Sequence, residues 1–447
     1  MFLNFDQKIT TLAKSLPRPL YAVGGYVRNY LIDRSYSDDI DLSAPITVES
    51  LLPYLNELGM EIVAEYKRTG TVVFKSEGRK YEFTCFRKDS YDLGGAHTPE
   101  RTEFTSDITE DARRRDFKCN AVYYDIARGE LVDPLGGIDD INNKVLDTVV
   151  SPKQVFGHDG LRLMRLARFS GELGFTPIDA VIDGATMHAK NIKDVSAERI
   201  YDELKKILIS DAKYPFSDKK GHYTGLKILD RTGVLDYIIP ELALGRGMEQ
   251  RKDFHDYDVL EHSLRATLYS DRSVRLAVLL HDVAKPYCKI NYGRYRMHAT
   301  EGASMSETVL KRLKADNKTI KKVKFLVGAH MFDLDGSEPI CAVRKFIVKN
   351  YDHIEELMLV KQADHCGYKD DLAPCKVVEK WKIVLDQMRR DGTPFRIKDL
   401  KITARELTEI GVKTNELGST LERLWLETVA QPTLNNNERL KDLAKNI

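Results

Sequence analysis

Two glycines and two aspartates near the N-terminus are spaced for phosphate chemistry: Ala22-Val23-Gly24-Gly25-Tyr26-Val27-Arg28, then Ser37-Asp38-Asp39-Ile40-Asp41-Leu42. An apolar run, Leu20 to Val23, ends at the glycine pair, and a helical pattern follows in Tyr26, Val27, Tyr30 and Leu31. Glycines between a strand and a helix let backbone N–H groups approach a phosphate at the positive helix end. Asp39 and Asp41 alternate on a second apolar segment, so in a strand both side chains leave one face. Adjacent carboxylates repel unless a cation lies between them, and hard oxygen ligands suit Mg²⁺. A phosphate cradle beside such a pair points to phosphoryl or nucleotidyl transfer. Taken alone, the two motifs equally describe a Gly-rich turn followed by a solvated acidic strand end.

Further segments separate these readings. Asp111-Ala112-Arg113-Arg114-Arg115-Asp116-Phe117-Lys118-Cys119-Asn120-Ala121 sets three arginines beside an Asp and an Asn, ahead of an apolar strand from Val122 to Ile126. Arg suits bidentate phosphate contacts, whereas Asp and Asn bond ribose hydroxyls. A turn, Asp133-Pro134-Leu135-Gly136-Gly137, comes next, and then Asp159-Gly160-Leu161-Arg162-Leu163-Met164-Arg165-Leu166-Ala167-Arg168-Phe169. Asp159 and Arg162, three apart, are expected on one helix face, where taken alone they read as an ordinary intrahelical salt bridge. An ionised Asp only accepts hydrogen bonds and Arg only donates. Cytosine and adenine each offer an exocyclic amine beside a ring-nitrogen acceptor, whereas uracil and guanine would turn a carbonyl toward the carboxylate. Arg165 and Arg168 continue a helix that is apolar nearly all round, and buried arginines require anions.

In this order the segments resemble the family of tRNA CCA-adding enzymes and bacterial poly(A) polymerases, the class II nucleotidyltransferases, from about residue 20 to the C-terminus. The resemblance implies nucleotide contacts from Gly24, Gly25, Arg28, Arg114, Arg115, Asp116, Asn120, Asp159, Arg162, Arg165 and Arg168, with Asp39 and Asp41 holding Mg²⁺. It also assigns base selection to Asp159 and Arg162. Glu82, on the strand Tyr81 to Arg87, matches the third carboxylate that such enzymes often use, and fits an outward strand Glu equally well. The chain departs from the family at Asn29, at His97-Thr98-Pro99, and at His158 and Gly160, where Glu and Pro are usual. Ser196 opens Ala197-Glu198-Arg199-Ile200-Tyr201, which resembles the neck helix, and is the expected N-cap.

The elements that must position these residues follow from pattern. With 447 residues the chain holds several domains. The expected fold is an α/β N-terminal nucleotidyltransferase head with a mixed sheet, followed by an all-α neck, an HD domain and a helical tail. The expected boundaries are 1–150 for the head, 151–250 for the neck, 251–372 for the HD domain and 373–447 for the tRNA-binding tail. Thr71 to Lys75 and Lys80 to Phe86 form a hairpin, and 88–109 read as a loop without apolar period. Net charge is +1, from 69 basic and 68 acidic residues, so any nucleic-acid surface gathers its charge locally. No membrane-spanning run and no secretory signal are evident, and six cysteines without CxxC spacing fit a reducing cytoplasm.

A second set of ligands lies downstream. His262, the pair His281-Asp282, His298, His330 and Asp364 stand in the order of an HD-type metal phosphohydrolase. Imidazole and carboxylate together suit Mn, Ni, Zn or Fe. A single His on an apolar helix is usually a satisfied core residue, but six ordered ligands are hard to assign to packing. The resemblance thus implies CCA addition to the tRNA 3′ end from CTP and ATP, with a possible second, metal-dependent phosphohydrolase activity. Two alternatives stand beside it: an A-adding enzyme or poly(A) polymerase, and a metal phosphohydrolase that keeps the head only to bind RNA.

Overall fold

The computed structural model describes residues 3–34, 39–90, 101–250 and 256–446. His97 and Pro99 lie outside these residues. By contact density the chain divides into two units, residues 1–243 with 312–314, and 244–311 with 315–447.

The first unit begins with the mixed sheet. Its strands are β1 (Tyr21–Val23), β2 (Asp39–Ala44), β3 (Glu61–Tyr66), β4 (Thr71–Ser76), β5 (Arg79–Cys85), β8 (Tyr123–Asp125) and β9 (Glu130–Val132). Between β5 and β8 come β6 (Arg87–Ser90) and β7 (Arg101–Phe104), which pair only with each other. The order in the sheet is β3-β4-β5-β2-β1-β8-β9. Only β2 and β5 run parallel; every other pair in this sheet is antiparallel. Val72, Phe74, Tyr81 and Phe83 are fully buried, as β-branched and aromatic residues on a covered sheet should be. Glu77 and Gly78 both take positive φ between β4 and β5, the geometry of a two-residue hairpin turn. In the stretch 88–109 the described residues, 88–90 and 101–109, are more ordered than their lack of apolar period predicts. Strand β7 and the start of the helix Ile108–Arg113 fall inside it, held by pairing that no period reveals.

Helices follow from residue 152. Leu161–Leu173 packs against Ala197–Leu208 and Gly221–Arg231. Ser196 does occupy the N-cap position of Ala197–Leu208, but its hydroxyl makes no capping hydrogen bond, against expectation.

Asp140 is a buried misfit in this unit, 8% exposed and flanked by Asp147 and Asp133 with Lys118 nearby. Burial pushes its carboxyl up to about 6, with Lys118 opposing and both aspartates adding. A folded-state value above the unfolded one means that protonation favours the fold. The contribution is complete below about pH 3.9 and is lost as pH rises through 6. Asp140→Asn should therefore stabilise the protein by about 1 kcal/mol at pH 7.5. Thermal melts should show the gain shrinking at pH 5; an equal gain at both pH values would refute the charge argument.

The second unit is helical among its described residues. Val259–Leu268, Arg275–Leu280, His298–Arg312, Asn317–Ala329 and Ile354–Lys369 surround its buried histidines. The tail adds Lys376–Arg390, Ala404–Glu409, Leu417–Ala430 and Asn437–Lys445, the first anchored by the buried Trp381. No helix among the described residues is long and apolar enough to cross a membrane.

Candidate active site and metal centre

A cleft of about 790 Å³ opens in the first unit. Its lining contains Gly24, Gly25, Arg28, Asp39, Asp41, Glu82, Arg114, Arg115, Asp116, Asn120, Asp159, Arg162, Arg165 and Arg168, so every head residue singled out above converges there. Arg87, Asp89, Phe169, Glu172, Arg199, Lys206, Lys213 and Tyr214 also face it, and none of these was found from sequence. A local basic cluster was the signal for the lysines, but nothing in the sequence tied the 199–214 segment to the glycine pair.

The floor is set by strand register. Asp41 stands directly beside Glu82 across the parallel β2–β5 pair, and Asp39 leaves the same face two residues away. Gly24 has φ of +80°, and a Cβ there would come 2.9 Å from the Asp41 Oδ2, so only glycine lets the turn pass over the carboxylate. Desolvation pushes the Asp41 carboxyl up to about 6; Glu82 and Asp39 add to this, and Arg115 and Arg165 oppose it. Three carboxylates crowded on one sheet face form a donor set that a hard divalent cation would satisfy.

One wall links distant segments by hydrogen bonds. The Arg28 Nη1 donates to Asn120 Oδ1 at 2.5 Å, and Asn120 Nδ2 donates to Asp116 Oδ1 at 3.0 Å. Asp116 in turn pairs with Arg165 at 2.6 Å. Although burial opposes it, Arg165 with the Asn120 and Phe117 donors holds the Asp116 carboxyl well below the usual range. The guanidiniums of Arg28, Arg165 and Arg168 lie 5.1, 5.1 and 4.4 Å from the Phe169 ring centroid.

Two expectations need correction here. Asp159 is not on the helix with Arg162. It is an extended residue, φ −146° and ψ 104°, between the helices Pro152–His158 and Leu161–Leu173. Its Oδ1 accepts the Leu161 N–H at 2.9 Å, and its Oδ2 lies 3.8 Å from Arg162 Nε. Gly160 beside it packs so closely that a Cβ there would meet the Asn191 carbonyl oxygen at 2.3 Å. Nor do Arg165 and Arg168 lack anions of their own. Arg165 has Asp116, and Arg168 lies 2.8 Å from Glu203 and 3.8 Å from Glu172.

The second unit brings its six expected ligands together. His262, His281 and Asp282 form one group able to hold an ion, and Asp282, His298 and His330 form another. Asp364 joins the first, its Oδ1 3.0 Å from His262 Nε2 and 3.2 Å from His281 Nε2. The tautomers follow from backbone partners. The Nδ1 atoms of His281, His298 and His330 lie 2.6, 2.9 and 2.7 Å from the carbonyls of Val278, Tyr295 and Val327. A carbonyl can only accept, so each Nδ1 carries a proton. Burial disfavours a charged His281, yet Asp282 and Asp364 overcome this and push it up to about 10. Protein alone thus meets the anionic charge with a proton that an ion would displace. Three neighbours had escaped the sequence reading. Lys285 reaches Asp282 at 2.6 Å, Tyr368 donates to Asp364 at 3.0 Å, and Lys361 donates to the His330 carbonyl at 2.9 Å.

Comparisons with known proteins agree with this anatomy. Residues 20–147 match the poly A polymerase head domain, 174–244 the probable RNA and SrmB-binding site of polymerase A, and 259–368 the HD domain. A CCA-adding enzyme of Geobacillus sp. (strain WCH70) is 36% identical over 220 residues, 49% of this chain and 50% of the relative. An A-adding tRNA nucleotidyltransferase of Deinococcus radiodurans is 33% identical over 274 residues, 58% of this chain and 60% of the relative. The chain thus aligns with about half the length of such curated relatives. Among solved structures, the Bacillus stearothermophilus CCA-adding enzyme in complex with CTP aligns with a TM-score of 0.68 at 20% identity, over 98% of this chain and 96% of that one. The Thermotoga maritima CCA-adding enzyme complexed with tRNA aligns with a TM-score of 0.63 at 15% identity, over 99% and 96%. The chain thus carries segments matching the poly A polymerase head domain, its RNA-binding region and the HD domain in that order, and it has the fold of the CCA-adding enzymes.

Proposed function

We propose that this protein adds CCA to the 3′ end of tRNA from CTP and ATP, and that its HD centre is a second, phosphohydrolytic site. The observation that carries the first part is the convergence of Asp39, Asp41 and Glu82 with Asp159 and Arg162 in one cleft. Asp39 and Asp41, with Glu82 beside them, would hold Mg²⁺, which when bound stabilises charge at the α-phosphate. Glu82, beside Asp41, would help to activate the primer hydroxyl. Gly24 and Gly25 present the start of the helix Gly25–Asp33 to phosphate, and Arg28, Arg165 and Arg168 border that space. Asp159 accepts the exocyclic amine of cytosine or adenine and Arg162 donates to the ring nitrogen beside it, so both bases pass through one pair of groups.

The deciding experiment gives tRNA lacking its 3′ end to the purified protein with each nucleotide in turn. Incorporation of two C and one A is the expected result. Addition of A only to tRNA already ending in CC would indicate an A-adding enzyme, and A tails on any RNA a poly(A) polymerase. In the same assay Asp159→Ala should raise relative kcat/KM for UTP and GTP about tenfold or more, since an unfavourable carboxylate–carbonyl contact disappears. Arg162→Ala should chiefly weaken CTP and ATP use. An unchanged preference in both variants would place base reading elsewhere.

For the HD centre, His262, His281, Asp282 and Asp364 on one side and Asp282, His298 and His330 on the other suit Mn, Ni, Zn or Fe. An ion held there supplies an activated water or hydroxide for phosphoester hydrolysis.

A further inference from the structure

Asp111, which opens the arginine segment but has no role assigned above, is fully buried. Its Oδ1 accepts from Arg114 Nε at 2.7 Å and from the Arg87 backbone N–H at 3.3 Å. Its Oδ2 accepts from the Tyr123 hydroxyl at 2.7 Å and from Arg115 Nη2 at 3.3 Å. Tyr123 also accepts from Arg115 Nε at 3.2 Å, so Arg115 is gripped from two sides. One carboxylate therefore holds two arginines of the cleft and the point where β6 begins.

The position of Arg115 gives this hub a consequence. Val23 on β1 pairs with Asp41 on one side and with Tyr123 on the other, so the two side chains leave the same face two strands apart. Arg115, bonded to Tyr123, lines the same cleft as Asp41. Asp41 is thus a second carboxylate on the face from which Asp111 and Tyr123 hold that guanidinium. We propose that Asp111, with Tyr123, is a positioning residue that holds Arg115 back from Asp41, keeping the carboxylates Asp39 and Asp41 open to a divalent cation while Arg115 faces the cleft. This rests on the reading of Asp39 and Asp41 as the cation-holding pair. Loss of the Asp111 charge frees Arg115 to close an ion pair on Asp41 and compete with the cation.

The test uses the full-length protein with Asp111→Asn, Tyr123→Phe and the double variant Asp111→Asn/Arg115→Gln. In Asp111→Asn the Mg²⁺ concentration for half-maximal nucleotide addition should rise about tenfold, the size of a one-unit change in the competition at Asp41. Tyr123→Phe, which removes a single hydroxyl, should give a smaller rise in the same direction and serves if Asp111→Asn does not fold. The double variant should regain the wild-type Mg²⁺ requirement even with a lower kcat, because the competing guanidinium is gone. A readout independent of turnover is backbone cleavage by bound Fe²⁺ with ascorbate and peroxide. Fragments ending near residue 40 report the head apart from the HD centre, and they should weaken in Asp111→Asn and return in the double variant. A uniform fall in kcat at every Mg²⁺ concentration with cleavage unchanged would overturn the proposal, as would a double variant that fails to recover. If the wild-type protein incorporates no nucleotide, the functional reading fails, and the cleavage pattern still decides the role of Asp111.

Discussion

Asp39→Ala or Asp41→Ala should lower nucleotide addition by about a thousandfold or more, because several kcal/mol of charge stabilisation at the α-phosphate leave with the ion. The two aspartates and Glu82 share one face of the β2–β5 pair, so no other carboxylate replaces either aspartate without a shift of register. tRNA affinity, measured by filter binding at fixed salt, should change less than threefold or so, since RNA is held mainly through phosphate contacts. The fold should survive, because both aspartates are exposed on β2 and removing either relieves like-charge crowding beside Glu82. Single-turnover CTP incorporation is the measurement, and near-normal rates in either variant would end the assignment.

The second large effect separates the two centres. His281→Ala or Asp282→Ala should abolish hydrolysis of phosphate esters assayed with Mn²⁺ or Ni²⁺, a loss of about a hundredfold or more when an ion ligand goes. CTP and ATP addition should be nearly untouched. Hard carboxylates gather before residue 120, and imidazoles with two aspartates between 262 and 364, so each set would hold an ion by its own chemistry. Asp282 is the more severe test because it belongs to both ligand groups. If the histidines only support the fold, the wild-type protein will hydrolyse nothing with any divalent ion, and chelation will lower its melting temperature instead. Equal loss of both activities in a folded Asp282→Ala protein would show that the centres are not independent.

Much of this was legible before the fold was known, for definite reasons. A period of two placed Asp39 and Asp41 on one strand face, and β2 presents them so. The glycine pair between an apolar run and a helical pattern marked the start of Gly25–Asp33. The order of the histidines survived because each sits on or beside a separate helix of the second unit. What stayed hidden depends on contacts remote in sequence. Asp159 lies outside the helix next to a Gly160 packed against the Asn191 carbonyl, a contact between segments some thirty residues apart. The partners of Arg168, Glu172 and Glu203, span two helices. Asp111 looked like one more acid before an arginine run, and only Tyr123 and Arg87 reveal its role as a hub. Strand β7 has no apolar rhythm, and among the described residues its strand partner is β6.

The parallel pairing of β2 with β5 also bears on how the cleft comes into being. Asp41 and Glu82 are neighbours in space, but the whole of β3 and β4 with the helix Val48–Glu57 is threaded between them in the chain. A parallel pair cannot close through a tight turn, so that intervening segment must first be ordered. Non-local pairings of this kind carry a loop-closure cost that local hairpins avoid. The β4–β5 hairpin can therefore form early, while the three-carboxylate floor waits for β2 to dock on it. During synthesis or refolding, secondary structure would return well before the protein could hold its ion, and a chain with most of its strands in place would still be chemically silent.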